Sequence, residues 1–301
     1  MPNSMKEQWQ LLNYGLRLTD RELPFVRLLK ERQFMLDTLP KSREAGWRDN
    51  HCVFVLSTGR AGTMQLSGLL KLSRNILALH EPTPVLLQQG RDAYAEPDAE
   101  VWVPLLHAAR DELIAFANQI GKVYVETNNR MTFLATALAK AYPSSKFIHL
   151  HRHPHQVIRS GLARNWYGGS GLDYARVTPL DGDPMAECWS RLEGAEKIAW
   201  FWTRVNEASM DLISGLDASR GLTLPADELF AGAPETLSRL FAFVGGSPPP
   251  SKAASRILRQ RLNANRKASP TKVRWQTSDL GRRINSIVGP VANALGYDLE
   301  M

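Results

Sequence analysis

The chain has 301 residues and a formal net charge of +7, with 44% hydrophobic and 22% charged residues. These proportions are ordinary for a folded globular protein and exclude a disordered chain, and no segment approaches the roughly 20 consecutive apolar residues of a membrane span. Two cysteines, Cys52 and Cys188, and a start without a signal-like apolar stretch lead us to expect a single-domain cytoplasmic protein.

The sequence divides into three segments that we expect to form one domain. Residues 1–50 carry apolar side chains at helix-like intervals and predict an N-terminal helical segment that packs on the core. Residues 51–245 alternate apolar runs with helical patterns, which predicts an α/β core. A linker rich in glycine and proline then opens a basic C-terminal segment, residues 246–301.

The positive charge is concentrated in that last segment. Residues 252–283 contain ten basic residues and one acidic residue, a net +9, so the remainder of the chain carries a net −2. A local excess of this size attracts anions such as a polyphosphorylated cofactor, although a solvated basic helix face is the simpler interpretation.

The first predicted strand, residues 52–57, leads into a loop that contains two glycines. Gly59 and Gly62 permit backbone angles that other residues adopt only with strain, and a helical pattern resumes after Thr63. The amide hydrogens of the loop and of the first helical turn have no intrahelical partners, and Arg60 adds a full positive charge. The sequence therefore predicts a phosphate-binding loop here.

Polar residues follow the next two predicted strands. The strand 76–79 delivers His80 and Glu81 at its carboxyl end, and the strand 123–125 is followed by Glu126. Ligand sites in open α/β sheets lie outside the carboxyl ends of the strands, so all three side chains are candidate site residues.

A second phosphate-binding pattern follows the strand that begins near Phe147. Arg152 leaves this strand, Pro154 is well placed in the first turn of the next helix, and Ser160 lies eight positions after Arg152. An arginine at a strand end and a serine nearly two helical turns later can converge on one phosphate, with a guanidinium and a hydroxyl as donors.

The connecting segments carry weaker signals. Residues 88–98 are polar and predict a loop, residues 131–141 predict a helix, and residues 164–184 form a glycine-rich, aromatic loop of the kind that often acts as a lid. A long helix is predicted from about Met185, and a last strand at 222–224. Together these elements predict a three-layer α/β sandwich whose central, mainly parallel sheet has about five strands.

The two phosphate-binding patterns resemble those of sulfotransferases that use 3′-phosphoadenosine 5′-phosphosulfate (PAPS), a family with a fold like that of P-loop nucleotide triphosphatases. Residues 57–63, Ser-Thr-Gly-Arg-Ala-Gly-Thr, are similar to the 5′-phosphosulfate loop of that family. The Arg152 to Ser160 spacing is similar to its 3′-phosphate motif. The resemblance spans most of residues 51–245 and implies a sulfotransferase that releases 3′,5′-adenosine bisphosphate.

The resemblance also implies roles for individual residues. Arg60 and the backbone amides near it would stabilise the leaving 5′-phosphate, and Arg152 and Ser160 would hold the 3′-phosphate. In the C-terminal segment Arg266 and Lys267 would close over the 3′-phosphate. Met64 departs from the commonest family pattern, which has a second hydroxyl residue at this position. The implied set of cofactor-binding residues is Thr58, Gly59, Arg60, Ala61, Gly62, Thr63, Met64, Arg152, Ser160, Arg266 and Lys267.

The general base remains open between three residues. Some branches of the family use His and others use Glu, and Glu81 beside Pro82 is placed like the catalytic Glu of the branches that modify carbohydrates. His80 and Glu126 are the alternatives, and each of the three could instead be a structural partner of a neighbouring arginine. The acceptor is expected to be a hydroxyl on a carbohydrate, a lipid or a small metabolite. We expect no nucleic-acid partner.

Three other interpretations explain the sequence less completely. Histidines alternate at 149, 151, 153 and 155, as in some metal sites, but Pro154 interrupts the strand and no Cys or Asp completes a ligand set nearby. A P-loop nucleotide kinase requires a lysine after Gly62, where this chain has Thr63. A noncatalytic polyanion-binding protein would explain residues 252–283 but not Arg60 and Arg152.

Overall fold

The computed structural model describes residues 52–259 and 278–299, and within them the chain forms one parallel five-stranded sheet. The strands in chain order are β1 Cys52–Leu56, β2 Ile76–His80, β3 Val123–Thr127, β4 Lys146–His151 and β5 Gly221–Pro225. All five lie where the sequence predicts them, which confirms the predicted α/β class. The predicted helical segment 1–50 and the pair Arg266 and Lys267 lie outside the described residues.

Helices connect the strands and flank the sheet. They are α1 Thr63–Leu70, α2 Leu87–Ala95, α3 Ala99–Gln119, α4 Ala135–Ala141, α5 Pro154–Leu162, α6 Gly194–Ser214, α7 Ala226–Ala231, α8 Pro234–Val244, α9 Ser251–Arg259 and α10 Asp279–Ala294. Short 3-10 helices span Asn129–Leu134, Asp173–Ala175 and Trp189–Arg191. None of the helices in the described ranges is long and apolar enough to cross a membrane.

The side chains of β1 alternate between two separate cores, because successive residues of a strand point to opposite faces of the sheet. Phe54 and Leu56 pack with residues of α3 and α4 on one face. Val53 and Val55 pack with residues of α1, α7 and α8 on the other face. The sheet is therefore buried on both sides, as the apolar runs of β1 and β2 indicate, and the predicted three-layer arrangement is confirmed.

The strand order β2-β3-β1-β4-β5 places a crevice between β1 and β4. The chain leaves β1 toward β2 on one side of the sheet, and it leaves β4 toward β5 on the other side. Adjacent parallel strands whose connections diverge in this way leave a crevice at their carboxyl ends, where ligands bind in open α/β sheets. The two phosphate-binding patterns follow these two strands.

Three connecting segments differ from the sequence prediction. Most of the predicted loop 88–98 is helical, because α2 spans Leu87–Ala95 with only Gly90 and Ala93 buried, so its apolar pattern is too sparse to read. The predicted helix 131–141 begins as a 3-10 helix and becomes α4. The helix predicted from Met185 begins at Gly194, where Glu193 and Glu196 form a reciprocal cap.

Candidate active site

The loop between β1 and α1 turns through three left-handed residues. Gly59, Arg60 and Gly62 have φ angles of 73°, 57° and 92°. Local hydrogen bonds hold the turn: the Gly59 amide donates to Ser57 Oγ at 3.2 Å, and the Thr58 hydroxyl donates to the Gly59 carbonyl at 2.8 Å. The sequence indicated the two glycines, whereas nothing in it indicated that Arg60 shares their left-handed backbone.

Gly62 is required at its position by both its backbone and its neighbour. It is the N-cap of α1, and a Cβ atom there would lie 2.2 Å from Cε2 of Phe230. Gly62 has no side chain with which to cap the helix, whose first turn contains Thr63 and Met64. The N-cap residue therefore supplies no oxygen to the first amide hydrogens of α1, and this end of the helix suits an anion.

Residues of the two sequence motifs meet beside this loop. Arg60 Nε donates to Ser160 Oγ at 2.8 Å, and Arg152 Nη1 donates to the Arg60 carbonyl oxygen at 3.0 Å. These contacts join residues separated by 100 and 92 positions in the sequence. The structure thus brings Arg60, Arg152 and Ser160 together at the crevice between β1 and β4, with the serine bonded to Arg60.

A third arginine, Arg164, adds positive charge to this group. Burial lowers the pKa of Arg60, the charges of Arg164 and Arg152 lower it further, to about 10, and the charge of Glu81 acts in the opposite direction. Burial also lowers the pKa of Arg164. Clustered guanidinium groups disfavour one another's charge, and a bound anion relieves that repulsion. Arg164 was not among the sequence candidates; it lies in the turn after α5, which ends at Leu162.

Arg152 is oriented by both its side chain and its backbone. Its Nε donates to Gln156 Oε1 at 2.7 Å, and its carbonyl oxygen accepts from Trp202 Nε1 at 2.9 Å. Asp227 lies 3.8 Å from Arg152 Nε, which makes a longer and partly exposed ion pair. These contacts hold the arginine at the end of β4, where the sequence placed it.

The alternating histidines around Arg152 bind other protein groups. His151 Nδ1 lies 2.7 Å from the Tyr297 hydroxyl, and His153 Nε2 donates to the Asp298 carbonyl at 3.0 Å. His149 Nε2 donates to Asn206 Oδ1 at 2.8 Å, and His155 Nε2 lies 2.9 Å from Asn285 Oδ1. No cluster of three or more His, Cys, Asp or Glu side chains arranged for a metal occurs in residues 52–259 and 278–299.

Burial keeps the inner histidines of this series neutral. It lowers the pKa of His149 to about 4, although the bond to Asn206 acts in the opposite direction. Burial, reinforced by His149, lowers the pKa of His151 to about 3. These side chains therefore join the end of β4 to the C-terminal residues 297 and 298 without adding charge near Arg152.

Glu81 and His80 lie at the carboxyl end of β2, on the same edge of the sheet. Glu81 has a left-handed backbone, with φ of 46°, which is uncommon for a residue other than glycine. Burial lowers the pKa of both Arg60 and Arg130, and the charge of Glu81 acts in the opposite direction on both. His80 Nδ1 lies 2.8 Å from the Thr127 carbonyl, so in the neutral ring Nδ1 carries the hydrogen and Nε2 is the basic nitrogen.

Glu126 lies in the interior, in a closed hydrogen-bond network. Arg110 donates to both carboxylate oxygens, at 2.6 and 2.9 Å, and both side chains are 0% exposed. The Tyr124 hydroxyl and the Asn128 amide also donate to the carboxylate, at 2.8 and 3.0 Å. Burial acts to lower the pKa of Arg110, but Glu126, together with Tyr124 and Tyr142, outweighs it and the pKa is raised. All four of these hydrogen bonds come from neighbouring side chains, so Glu126 is held inside the domain.

The described part of the basic segment is partly engaged in ion pairs. Arg283 donates to Glu196 at 2.7 Å and to Glu193 at 2.9 Å, and Arg282 bonds to Asp279. The remaining basic residues include Arg266 and Lys267, whose predicted contact with the cofactor falls outside the described residues. Part of the net +9 of residues 252–283 therefore stabilises the packing of α10 on α6.

Comparisons with known proteins agree with this arrangement. A family model described as the sulfotransferase family matches residues 52–247. Among solved structures, the sulfotransferase domain from the Synechococcus PCC 7002 olefin synthase is similar, with 14% identity, a TM-score of 0.52, and 86% of this chain and 99% of that one covered. Sulfotransferase STF1 from Mycobacterium tuberculosis H37Rv is similar over 95% of this chain and 98% of that one, with 12% identity and a TM-score of 0.45. A sequence search of curated proteins found no significant match.

These findings distinguish between the interpretations of the sequence. At such low identity the likeness to the Synechococcus domain supports the fold alone, whereas the family model spans both motifs and most of the chain. The match favours the sulfotransferase interpretation over a P-loop kinase and over a noncatalytic polyanion-binding protein. The chain belongs to the sulfotransferase family.

Proposed function

We propose that the protein transfers the sulfonyl group of PAPS to a hydroxyl of a carbohydrate, a lipid or a small metabolite. The observation that carries this proposal is the meeting of Arg60, Arg152 and Ser160 at the crevice between β1 and β4. When bound, PAPS supplies the sulfonyl group and departs as 3′,5′-adenosine bisphosphate. The cluster of Arg60, Arg152 and Arg164 suits a ligand with two separate phosphate groups.

The residues of the glycine loop are proposed to bind the 5′-phosphate and to stabilise the charge that develops as it leaves. Arg60 supplies a guanidinium, the amides of residues 61–64 supply backbone donors, and the Thr63 hydroxyl is a further donor. Thr58 and Gly59 shape the turn through their hydrogen bond. On the second strand end, Arg152 and Ser160 are proposed to hold the 3′-phosphate.

We assign Glu81 as the general base that accepts the proton of the attacking hydroxyl. Its electrostatic effect on Arg60 and its place at the carboxyl end of β2 support this assignment, because the base has to act at the same edge of the sheet as the bond that breaks. His80 is the second candidate, since the bond to Thr127 leaves Nε2 as its basic nitrogen. The enclosed network of Glu126 supports a structural role for that residue instead.

The segment 246–301 is proposed to complete the cofactor site through Arg266 and Lys267. Gln65 in the first turn of α1 donates to the carbonyls of Ile257 and Leu258, at 3.1 and 2.7 Å. The end of α9 is thereby attached beside the glycine loop, which supports a role for the residues that follow it.

Calorimetry with 3′,5′-adenosine bisphosphate and 5′-AMP tests the proposed cofactor. We expect the bisphosphate to bind at least about 10-fold more tightly, because charge-assisted contacts to a second phosphate are strong. Arg152→Ala should abolish that preference, and Arg266→Ala should weaken bisphosphate binding more than Arg256→Ala does. Equal binding of the two nucleotides would contradict the proposed cofactor, whereas an unchanged preference in Arg152→Ala would contradict only the residue assignment.

A further inference from the structure

The turn that ends α10 lies against the strand end that carries Arg152. Gly296 has a left-handed backbone, with φ of 77°, and its amide donates to the Asn293 carbonyl at 3.0 Å. The Tyr297 amide donates to the Ala292 carbonyl at 2.9 Å. These two bonds around a left-handed glycine form a Schellman motif, so the backbone that leads into Tyr297 has a fixed geometry.

The residues on either side of Arg152 both contact this turn. His151 Nδ1 lies 2.7 Å from the Tyr297 hydroxyl, and His153 Nε2 donates to the Asp298 carbonyl at 3.0 Å. The Tyr297 ring also packs edge-on against both imidazoles, with ring centroids 5.3 Å from His151 and 5.2 Å from His153. Two consecutive residues of the turn therefore hold the chain on both sides of the arginine.

The contact through His153 extends to the start of the next helix. His153 is the N-cap of α5, and its Nδ1 accepts from the His155 amide at 3.2 Å, so Nε2 carries the hydrogen that is donated to Asp298. His155 Nε2 in turn lies 2.9 Å from Oδ1 of Asn285, a residue of α10. The helix α10 and its C-terminal turn thus position both the end of β4 and the first turn of α5.

The backbone of Arg152 is held from the interior as well. Its carbonyl oxygen accepts from Nε1 of Trp202, which is fully buried, and the Tyr297 ring lies 6.5 Å from the Trp202 ring. The guanidinium of Arg152 reaches the glycine loop, where Nη1 donates to the Arg60 carbonyl at 3.0 Å. Tyr297 therefore contacts the two neighbours of Arg152 in the chain and packs near the residue that binds its carbonyl.

The bond between Tyr297 and His151 joins two neutral groups. Burial lowers the pKa of His151 to about 3 and raises the pKa of Tyr297. Loss of the hydroxyl would leave a buried ring nitrogen without this partner, at a cost that a shift of the strand end would reduce. The hydroxyl therefore stabilises one particular position of the end of β4.

We propose that Tyr297 is a positioning residue for the 3′-phosphate site, which fixes the backbone of Arg152 so that its guanidinium meets the phosphate. This inference rests on the proposed use of PAPS, and it gives the C-terminal segment a role that is independent of Arg266 and Lys267. A guanidinium donates in fixed directions, so a small displacement of its backbone weakens a charge-assisted contact. The 5′-phosphate site is formed by the loop after β1 and should be affected much less.

Calorimetry with 3′,5′-adenosine bisphosphate and 5′-AMP tests this role in Tyr297→Phe, which keeps the ring and removes only the hydroxyl. Affinity for the bisphosphate should fall by about 3- to 10-fold, the effect expected of one hydrogen bond, and affinity for 5′-AMP should change by less than about 2-fold. Tyr297→Leu also removes the ring contacts to the two histidines and should lower the bisphosphate affinity further.

The same substitution in Arg152→Ala separates positioning from a general effect on the fold. If Tyr297 acts through Arg152, Tyr297→Phe should leave the bisphosphate affinity of Arg152→Ala unchanged, because the effects of coupled residues do not add. Tyr142→Phe is the matched control, since the Tyr142 hydroxyl donates to Asp111 at 2.8 Å in the core beside α3 and α4. It should retain the full preference for the bisphosphate, and thermal unfolding of each variant shows whether the fold is intact.

An unchanged preference for the bisphosphate in both Tyr297 variants would overturn the inference and leave the proposed function standing. Equal losses for the two nucleotides would also overturn it, since Tyr297 would then support the fold as a whole. A further loss in the Arg152→Ala background would have the same result, because Tyr297 would then act on the phosphate by another route. Equal binding of the two nucleotides by the unaltered chain would contradict the proposed cofactor, and this inference with it.

Discussion

Glu81 and Glu126 stand at the carboxyl ends of neighbouring parallel strands, yet their surroundings differ completely. Glu126 is enclosed by donors from Arg110, Tyr124 and Asn128. Glu81 has a left-handed backbone and acts electrostatically on two arginines at the edge of the sheet. A position at a strand end therefore makes a carboxylate a candidate general base. Its hydrogen-bond and ion-pair partners determine whether it can exchange a proton with a substrate.

The enclosed glutamate also supports the loop that carries the other one. Arg110 Nη2 donates to the Pro84 carbonyl at 2.9 Å, and Asn128 Nδ2 donates to the Val85 carbonyl at 3.2 Å. Both donors are bonded to Glu126 as well. The network thus connects the interior of the domain to the segment after Glu81, and we infer that it limits the movement of that segment.

The largest expected difference between the two residues is in turnover. Glu81→Gln keeps the shape of the side chain but removes the base, and it should lower kcat by roughly 10²–10⁴-fold, the usual range for general acid–base catalysis. Affinity for 3′,5′-adenosine bisphosphate, measured by calorimetry, should change little. Near-normal turnover in this variant, together with a large loss in His80→Asn, would assign the base to His80.

The opposite pattern is expected when the buried pair is broken. Glu126→Gln leaves the Arg110 guanidinium without its carboxylate, and loss of one partner of a buried ion pair typically costs about 3–5 kcal/mol of unfolding free energy. Urea denaturation measures this change. Tyr124→Phe, which removes one donor to Glu126 and keeps the ion pair, should cost only about 1 kcal/mol. A stable Glu126→Gln variant that has lost its turnover would reverse the two assignments.

A smaller effect is the loss of folding stability at low pH. This loss has to be measured separately, because it would otherwise be mistaken for an effect of pH on catalysis in the two glutamate variants. The pKa of His149 is about 4 in the folded protein and 6.5 when exposed, so the unfolded chain binds more protons between these values. The contribution of His149, on the order of 3 kcal/mol, should therefore be lost as the pH drops from about 6.5 to 4. The contribution of His151, whose pKa is about 3, should be lost over a range that extends to about pH 3.

Thermal unfolding across this range measures the acid effect, and His149→Gln, which cannot titrate at that position, should reduce the dependence and leave the part that His151 contributes. The acid loss should remain unchanged in Glu81→Gln and Tyr124→Phe. If His149→Gln keeps the full dependence, the acid-sensitive groups lie elsewhere.

The parts of the molecule that the sequence predicted are those with a strong local signal. The five strands contain short apolar runs, and the two motifs combine glycine, arginine and serine at fixed intervals, so both could be located without long-range information. The helix Leu87–Ala95 could not be located from the sequence, because it buries few apolar side chains. Its Gly90 packs directly against the backbone of Arg130.

The site was predicted less completely than the fold, for a related reason. Glu81 and Glu126 have the same local pattern, and the partner that separates them, Arg110, comes from the middle of a helix. Arg164 and Arg130 interact with residues far away in the sequence. The charge of Arg164 lowers the pKa of Arg60, and Arg130 donates to the Ala175 carbonyl. Contacts of this kind depend on the packing of whole elements, which single-sequence patterns do not encode.

The contact between Gly62 and Phe230 has a consequence for the history of the family. A Cβ at position 62 would overlap the Phe230 ring, so an alanine could be accepted there only with a smaller residue at position 230. The left-handed backbone of Gly62 also disfavours alanine at this position, whatever residue stands at position 230. Relatives that keep this loop geometry should therefore vary at position 230 only while position 62 stays glycine, and any lineage that lost the glycine should also have lost the aromatic ring.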